Sequence, residues 1–173
     1  GMRRNFDAGV ARLKAGGVQV RLDSPSADAP TSAAPRPFLA EVDAAGFIAR
    51  AGLHDEVFGP AALLVRVRST DEAVAVLRAV GGSLTVTLWG AEQPDDDTLR
   101  LVRAAQQVAG RVLFAGVPTG VAVAAGQQHG GPHPSSTAPM TTSVGFAALD
   151  RFLRPVALQD APAWLLAREG RPV

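Results

Sequence analysis

A carboxylate and an aromatic ring stand two residues apart at Glu56 and Phe58, just ahead of a Gly59-Pro60 stop. An ionised carboxylate offers two acceptor oxygens, which suits the vicinal hydroxyls of a ribose. A flat ring supplies a wall for the heterocycle attached to that sugar. An apolar run from Ala61 to Val67 follows, so the acid sits at the mouth of a buried-looking strand. The alternative reading of the same spacing is a charged helix end, then a core Phe, then a Pro that opens the strand.

Other clusters carry less. Gly116-Val117-Pro118-Thr119-Gly120 and His129-Gly130-Gly131-Pro132-His133-Pro134 are glycine-rich. Glycine lets a backbone approach a ligand or another loop closely. Neither stretch has the Gly-Lys-Ser/Thr core of a phosphate loop or the Gly-x-Gly-x-x-Gly of a dinucleotide turn. His129 and His133 are four apart, but the Gly-Gly-Pro between them rules out a shared helical face. A zinc site needs further ligands, and His54 is the only other histidine. Asp95-Asp96-Asp97 points three ways around a helix start, so compensation of the helix dipole is the better reading than a metal. Ser135 and Ser136 lie near His133 without a nucleophile-elbow context. The chain has no cysteine. Disulfides, thiolate metal sites and a cysteine nucleophile are excluded from it. No catalytic or metal-ligating residue is expected.

The elements that must position Glu56 and Phe58 follow from periodicity. Arg3 to Ala15 reads as a helix on Phe6, Val10 and Leu13, ended by Gly16-Gly17. Val18 to Leu22 alternates as a short strand. Residues 24–37 hold four prolines and read as a flexible surface loop. Phe38 to Val42 is a strand, and Asp43 caps a short helix to about Arg50. Ala61 to Arg68 reads as a strand covered on both faces. Ser69 or Thr70 caps a helix whose stripe is Ala73, Val76, Leu77 and Val80. Leu84 to Trp89 is a strand, a helix follows from Asp95 to Gly110, and Arg111 to Ala115 is a strand again. This alternation predicts an α/β fold, a largely parallel sheet with right-handed crossovers. Thr141 or Thr142 caps a helix to about Leu153. Val156 to Gln159 reads as a terminal strand, and Asp160 caps a last helix from Pro162 to Arg168.

At 173 residues the chain is long enough for one domain spanning 1–173. Its 47% hydrophobic and 19% charged content place it among soluble globular proteins. A net charge of +1 gives no field for nucleic acid or an anionic membrane. No apolar run approaches the roughly 20 residues of a bilayer span. No charged-then-apolar leader opens it, so a cytoplasmic location is expected.

One resemblance joins these pieces. Glu56-Val57-Phe58-Gly59-Pro60, Arg111 to Val121, His129-Gly130-Gly131-Pro132, Thr142-Ser143-Val144-Gly145 and Arg151 to Val156 occur in the order and spacing of an aldehyde dehydrogenase. From about Arg3 to Leu166 the chain resembles the C-terminal third of that family, nearest the ketoglutarate (2,5-dioxovalerate) semialdehyde type. The resemblance implies helices on both faces of the sheet. It implies that Glu56 holds the nicotinamide ribose of NAD or NADP and that Phe58 packs beside the nicotinamide. The 129–134 loop would lie near the substrate entrance. The family's catalytic cysteine, its general-base glutamate and the domain for the adenine end of the cofactor lie upstream of the matched region. Ala115 and Val117 stand where the family leads one to expect an Asn and an aromatic. The chain is therefore expected to be inert alone. Three states fit: a truncated enzyme, a subunit completed by a missing N-terminal partner chain, or a homo-oligomeric module using residues 154–173.

Overall fold

Three helix starts are built by side chains that accept from otherwise orphaned backbone N–H groups. In the computed structural model, which describes residues 1–23, 36–117, 120–121 and 123–166, Asp43 accepts from the Gly46 N–H at 2.7 Å. Ser69 accepts from the Glu72 N–H at 3.2 Å, and the Glu72 carboxylate accepts from the Arg68 N–H at 2.8 Å. Asp95 accepts from the Thr98 N–H at 2.7 Å. That bond holds the Asp95 carboxyl below the usual aspartate range. Asp96 and Asp97 then fall in the first turn, where the helix dipole favours acids.

The elements run α1 (Met2–Ala15), β1 (Gln19–Asp23), β2 (Phe38–Asp43), α2 (Ala44–Ile48) and a 3-10 turn at Ala51–Leu53. Then come β3 (Ala61–Arg66), α3 (Thr70–Val80), β4 (Ser83–Thr87), α4 (Asp96–Val108) and β5 (Ala109–Leu113). A 3-10 helix at Phe146–Phe152 and α5 (Ala163–Leu166) follow. β1 pairs antiparallel with β2, β2 parallel with β3, and β4 parallel with β5. The fold is α/β with mostly parallel pairing. It is not one continuous sheet among the described residues: the strands form the orders β1-β2-β3 and β4-β5.

The parallel register sets Phe38 beside Ala61, Ala40 beside Leu63 and Val42 beside Val65. Residues paired this way share a face. That face meets Phe6 and Leu13 of α1, Phe47 of α2 and Leu53, with Val76 and Ala79 of α3 packed against the same cluster. The opposite face of β3 carries Ala62, Leu64 and Arg66, all exposed. The expectation was of a β3 covered on both faces; among the described residues its outer face is open. Leu64 is 50% exposed, and no described element lies over it. On the same outer side Glu41 is buried between two guanidiniums, 2.8 Å from Arg21 Nε and paired with Arg66. The Arg21 hydrogen bond leads the causes that lower its pKa.

Other boundaries move. α4 ends at Val108 and β5 begins at Ala109, two residues before the expected strand. Thr141 and Thr142 cap no helix; the turn begins at Phe146, is 3-10, and has Gly145 at its start with φ 98°. The predicted strand Val156–Gln159 has no ladder among the described residues, because nothing pairs with it. Asp160 takes a positive φ of 54° ahead of α5. The proline-rich loop at 24–35 and the tail 167–173 lie outside the described residues.

Candidate functional site

The loop from Glu56 to Pro60 is fixed from beneath by alternate residues. Val57 turns inward: a Cβ added to Gly9 of α1 would come within 2.8 Å of its side chain. Gly59 has φ 150° and lies so close on the Phe6 ring that a Cβ there would meet the ring at 2.4 Å. Both the left-handed backbone and the contact require glycine. The Pro60 carbonyl accepts from the Phe38 N–H at 2.9 Å, which ties the loop's exit to the start of β2. With Val57 packed against the core and Gly59 seated on the Phe6 ring, Glu56 and Phe58 are left outside.

Glu56 is exposed and makes no hydrogen bond or ion pair within the described residues. It lies on the rim of a cleft of about 640 Å³, with His54, Asp55, Val80, Gly82, Ser83, Leu84, Thr85, Pro134 and Ser135. Phe58 is 70% exposed and does not line that cleft. His54 is spoken for, with Nε2 2.9 Å from the Phe47 carbonyl and its ring 4.6 Å from the Phe47 ring. Its role is to close the turn before Glu56.

Gly82 of the cleft lining belongs to a clasp of glycines that holds the 129–134 loop. A Cβ on Gly82 would fall 2.1 Å from the Pro132 carbonyl oxygen and 2.4 Å from that of His133. A Cβ on Gly110 would fall 2.5 Å from the Gly130 oxygen, and one on Gly131 2.5 Å from the Ser83 oxygen. The 129–134 loop is thus pressed against the first residues of β4 and β5, backbone to backbone. A second set of bonds pins it from behind. The Thr142 hydroxyl accepts from the His129 N–H at 2.8 Å and from the Val144 N–H at 3.3 Å, and donates to the Val144 carbonyl at 2.7 Å. Ser143 donates to the His129 carbonyl from both its N–H and its hydroxyl, each at 3.0 Å.

The structure brings Glu56 together with the end of the 129–134 loop, and leaves Phe58 on the outside. His129 and His133 form no metal set: among the described residues no three His, Cys, Asp or Glu side chains are grouped to hold an ion. The sequence reading missed Thr142 as a buried pin and treated it as a cap; only its place in a Thr-Thr-Ser run next to Gly145 hinted at a turn. It also missed the packing of Gly82 on Pro132 and His133 and of Gly110 on Gly130-Gly131, which no spacing reveals.

Comparison with known proteins gives the ancestry. No family model matches. The chain is 48% identical over 130 residues to alpha-ketoglutaric semialdehyde dehydrogenase 2 of Azospirillum brasilense, covering 74% of this chain and 24% of that protein. It is 38% identical over 124 residues to the alpha-ketoglutaric semialdehyde dehydrogenase of Acinetobacter baylyi, covering 70% of this chain and 24% of that one. Proline utilization A of Bradyrhizobium japonicum superposes with a TM-score of 0.58 at 28% identity, over 80% of this chain and 13% of that one. An NAD-dependent aldehyde dehydrogenase from Sinorhizobium meliloti gives 0.53 at 18% identity over 94% of this chain and 31% of that one, which speaks to the fold alone. The aligned region thus spans about a quarter of the length of these two curated relatives. On this agreement of sequence and fold, the chain belongs to the aldehyde dehydrogenase superfamily, close to the alpha-ketoglutaric semialdehyde dehydrogenases.

Proposed function

We propose that this chain is the cofactor-side part of a dehydrogenase that oxidises an aldehyde or semialdehyde to a carboxylic acid, and that it is inert by itself. One observation carries the reading: Glu56 and Phe58 stand exposed on a braced loop, while the chain contains no cysteine at all. Aldehyde oxidation through a thiohemiacetal needs a thiolate nucleophile. Enzymes lower such barriers by about 8–23 kcal/mol overall, and no other side chain here substitutes for the sulfur.

NAD or NADP, when bound, supplies the hydride acceptor. The residues present suit one end of such a cofactor. The unpaired Glu56 carboxylate at the cleft rim has both oxygens free to accept from two ribose hydroxyls. The exposed Phe58 ring offers an apolar wall that keeps water from a flat heterocycle. The Gly9–Val57 and Phe6–Gly59 contacts fix the stretch between them. By the family resemblance the domain for the adenine end lies upstream of the matched region, so affinity for the whole cofactor is expected to depend on that domain.

Calorimetry of the purified chain with NAD tests this. No binding is expected; clear micromolar affinity would overturn it. Dehydrogenase activity measured with and without a chain supplying the cysteine and the adenine site is the complementary test, and activity is expected only with both.

A second reading, a homo-oligomeric module, has its own observation. Phe146, Leu149, Phe152, Val156 and Leu158 are each more than 60% exposed along one stretch. Apolar surface of that extent marks an interaction site. Light scattering on a sizing column decides it: a dimer or larger is expected, and a clean monomer removes the reading.

A further inference from the structure

α3 packs on α4, and each helix turns one stripe toward the seam between them. On α3 the stripe is Asp71, Val74, Ala75 and Arg78. On α4 it is Arg100, Arg103, Ala104 and Gln107. Both follow the i, i+3, i+4, i+7 spacing of a single helical face. Together they line a groove of about 350 Å³. Ala104 is buried and Val74 and Ala75 half-buried, so the floor is apolar, while the charged side chains stand exposed on the rim.

Charge in the groove is unevenly matched. Arg100 pairs with Asp71 across the seam and lies 3.4 Å from Asp97 on its own helix. Arg78 and Arg103 make no hydrogen bond or ion pair among the described residues. A helix offers its side chains partners three or four positions away. Those positions hold Val74, Ala75, Gly81 and Gly82 around Arg78. Around Arg103 they hold Leu99, Arg100, Gln106 and Gln107. None is an acid, and Arg100 is a like charge that weakens the helix. The dipole at the end of α3 favours Arg78. Arg103 lies in the body of α4 and gains nothing from it.

A guanidinium presents two parallel N–H groups that match the two oxygens of a carboxylate. Arg78 stands on one wall, Arg103 on the other, and the apolar floor runs between them. This arrangement suits a short aliphatic stem with a carboxylate at each end. We propose that the α3–α4 groove is a binding site for a small aliphatic dicarboxylate, one carboxylate held by Arg78 and the other by Arg103. Its methylenes lie on Val74, Ala75 and Ala104, and the Gln107 amide donates to the carboxylate on the α4 side. The bound ligand supplies the counter-charge that the two helices lack. No residue lines both this groove and the Glu56 cleft, so the site stands whether or not the enzymatic reading does.

Calorimetry on the whole chain in a low-salt buffer tests it, with glutarate, adipate, butyrate and inorganic phosphate as probes. Glutarate or adipate should bind saturably, one per chain, and at least tenfold more tightly than butyrate or phosphate. Added salt should weaken the binding at least threefold, because exposed charges are screened. Arg78→Gln and Arg103→Gln, both at exposed positions, should each weaken it at least tenfold with the melting temperature unchanged. Arg12→Gln, at an exposed position on α1, and Glu56→Gln should bind like the parent. Nitrogen-15 spectra of the parent give a check free of substitutions: the Nε–Hε signals of Arg78 and Arg103 should move on titration while that of Arg12 stays. The proposal is overturned if no dicarboxylate binds saturably or if butyrate or phosphate binds as tightly. It is also overturned if either guanidinium variant binds like the parent, if Arg12→Gln loses as much as they do, or if neither groove signal moves.

Discussion

Replacing Gly82 by Ala tests whether the glycine clasp holds the wall of the cleft. The added methyl would sit 2.1 Å from the Pro132 oxygen, 2.4 Å from the His133 oxygen and 2.6 Å from the His133 carbonyl carbon. Carbon contacts are comfortable only near 3.5–4 Å, so the loop or β4 must retreat by about 1 Å or more. The atoms in the way are backbone, and the loop cannot drift. The Pro132 oxygen accepts from the Ser135 hydroxyl at 2.7 Å and its N–H at 3.0 Å, and Thr142 and Ser143 hold His129. Overpacking of this kind costs about 1–3 kcal/mol. Replacing glycine by alanine where the backbone is permissive returns about 0.4–1 kcal/mol through the unfolded chain. With rigid neighbours the upper end of the first range applies, leaving a net loss of about 2 kcal/mol. For a chain of this size that lowers the melting temperature by roughly 4–8 °C. The control is Gly52→Ala, where nothing lies within 4 Å and the backbone is not left-handed. It should be neutral or slightly stabilising. Thermal unfolding followed by circular dichroism, both variants in one buffer, gives the answer. If Gly82→Ala melts with the parent or with Gly52→Ala, the clasp does not exist as described.

Thr142→Val removes a hydroxyl that is 2% exposed and serves two N–H donors and one carbonyl. Leaving those groups unmet costs about 1–3 kcal/mol, read as a fall in the urea midpoint. Ser69→Ala removes the α3 cap and should cost about 1 kcal/mol by the same measurement, with Ser69→Asp restoring most of it. Glu41 has its folded pKa lowered below the ordinary 4.5. Its ionic stabilisation is complete above the unfolded value and fades as pH falls through the lower folded one. Acid titration of the melting temperature should therefore steepen below about pH 4.5 in the parent and flatten in Glu41→Gln. Glu56→Gln, at an exposed and unpaired carboxylate, should leave the melting temperature unchanged while weakening NAD binding in a complemented assembly; a large loss of stability would make Glu56 structural.

Local chemistry made much of this chain legible in advance. Asp43 and Ser69 each cap the helix that their positions announced, because a cap is a bond within four residues of chain, and Asp95, read only as part of an acidic helix start, also caps. Gly81 and Gly16-Gly17 end helices for the same reason. The errors cluster where partners are distant or absent. Val156–Gln159 has a strand's composition but no ladder among the described residues, since a strand exists only against a neighbour. Thr142 was readable as a cap because the same hydroxyl serves turns and caps alike; its His129 partner lies 13 residues away. The Glu56–Phe58 spacing drew attention to both residues, yet only Glu56 reaches the cleft.

By its residue order alone, the chain determined its alternation of helices and strands, its helix starts, its lack of a sulfur nucleophile and its kinship with the aldehyde dehydrogenases. Those properties are local, compositional or inherited. Tertiary structure decided that Gly82 packs on Pro132 and His133 and Gly110 on Gly130-Gly131, that the Gly9–Val57 and Phe6–Gly59 contacts brace the loop bearing Glu56, and that the described strands form two separate ladders. Each of these depends on backbones far apart in sequence meeting within a few ångströms, or failing to meet, and side-chain patterning records which face a residue prefers but not which neighbour is there to receive it.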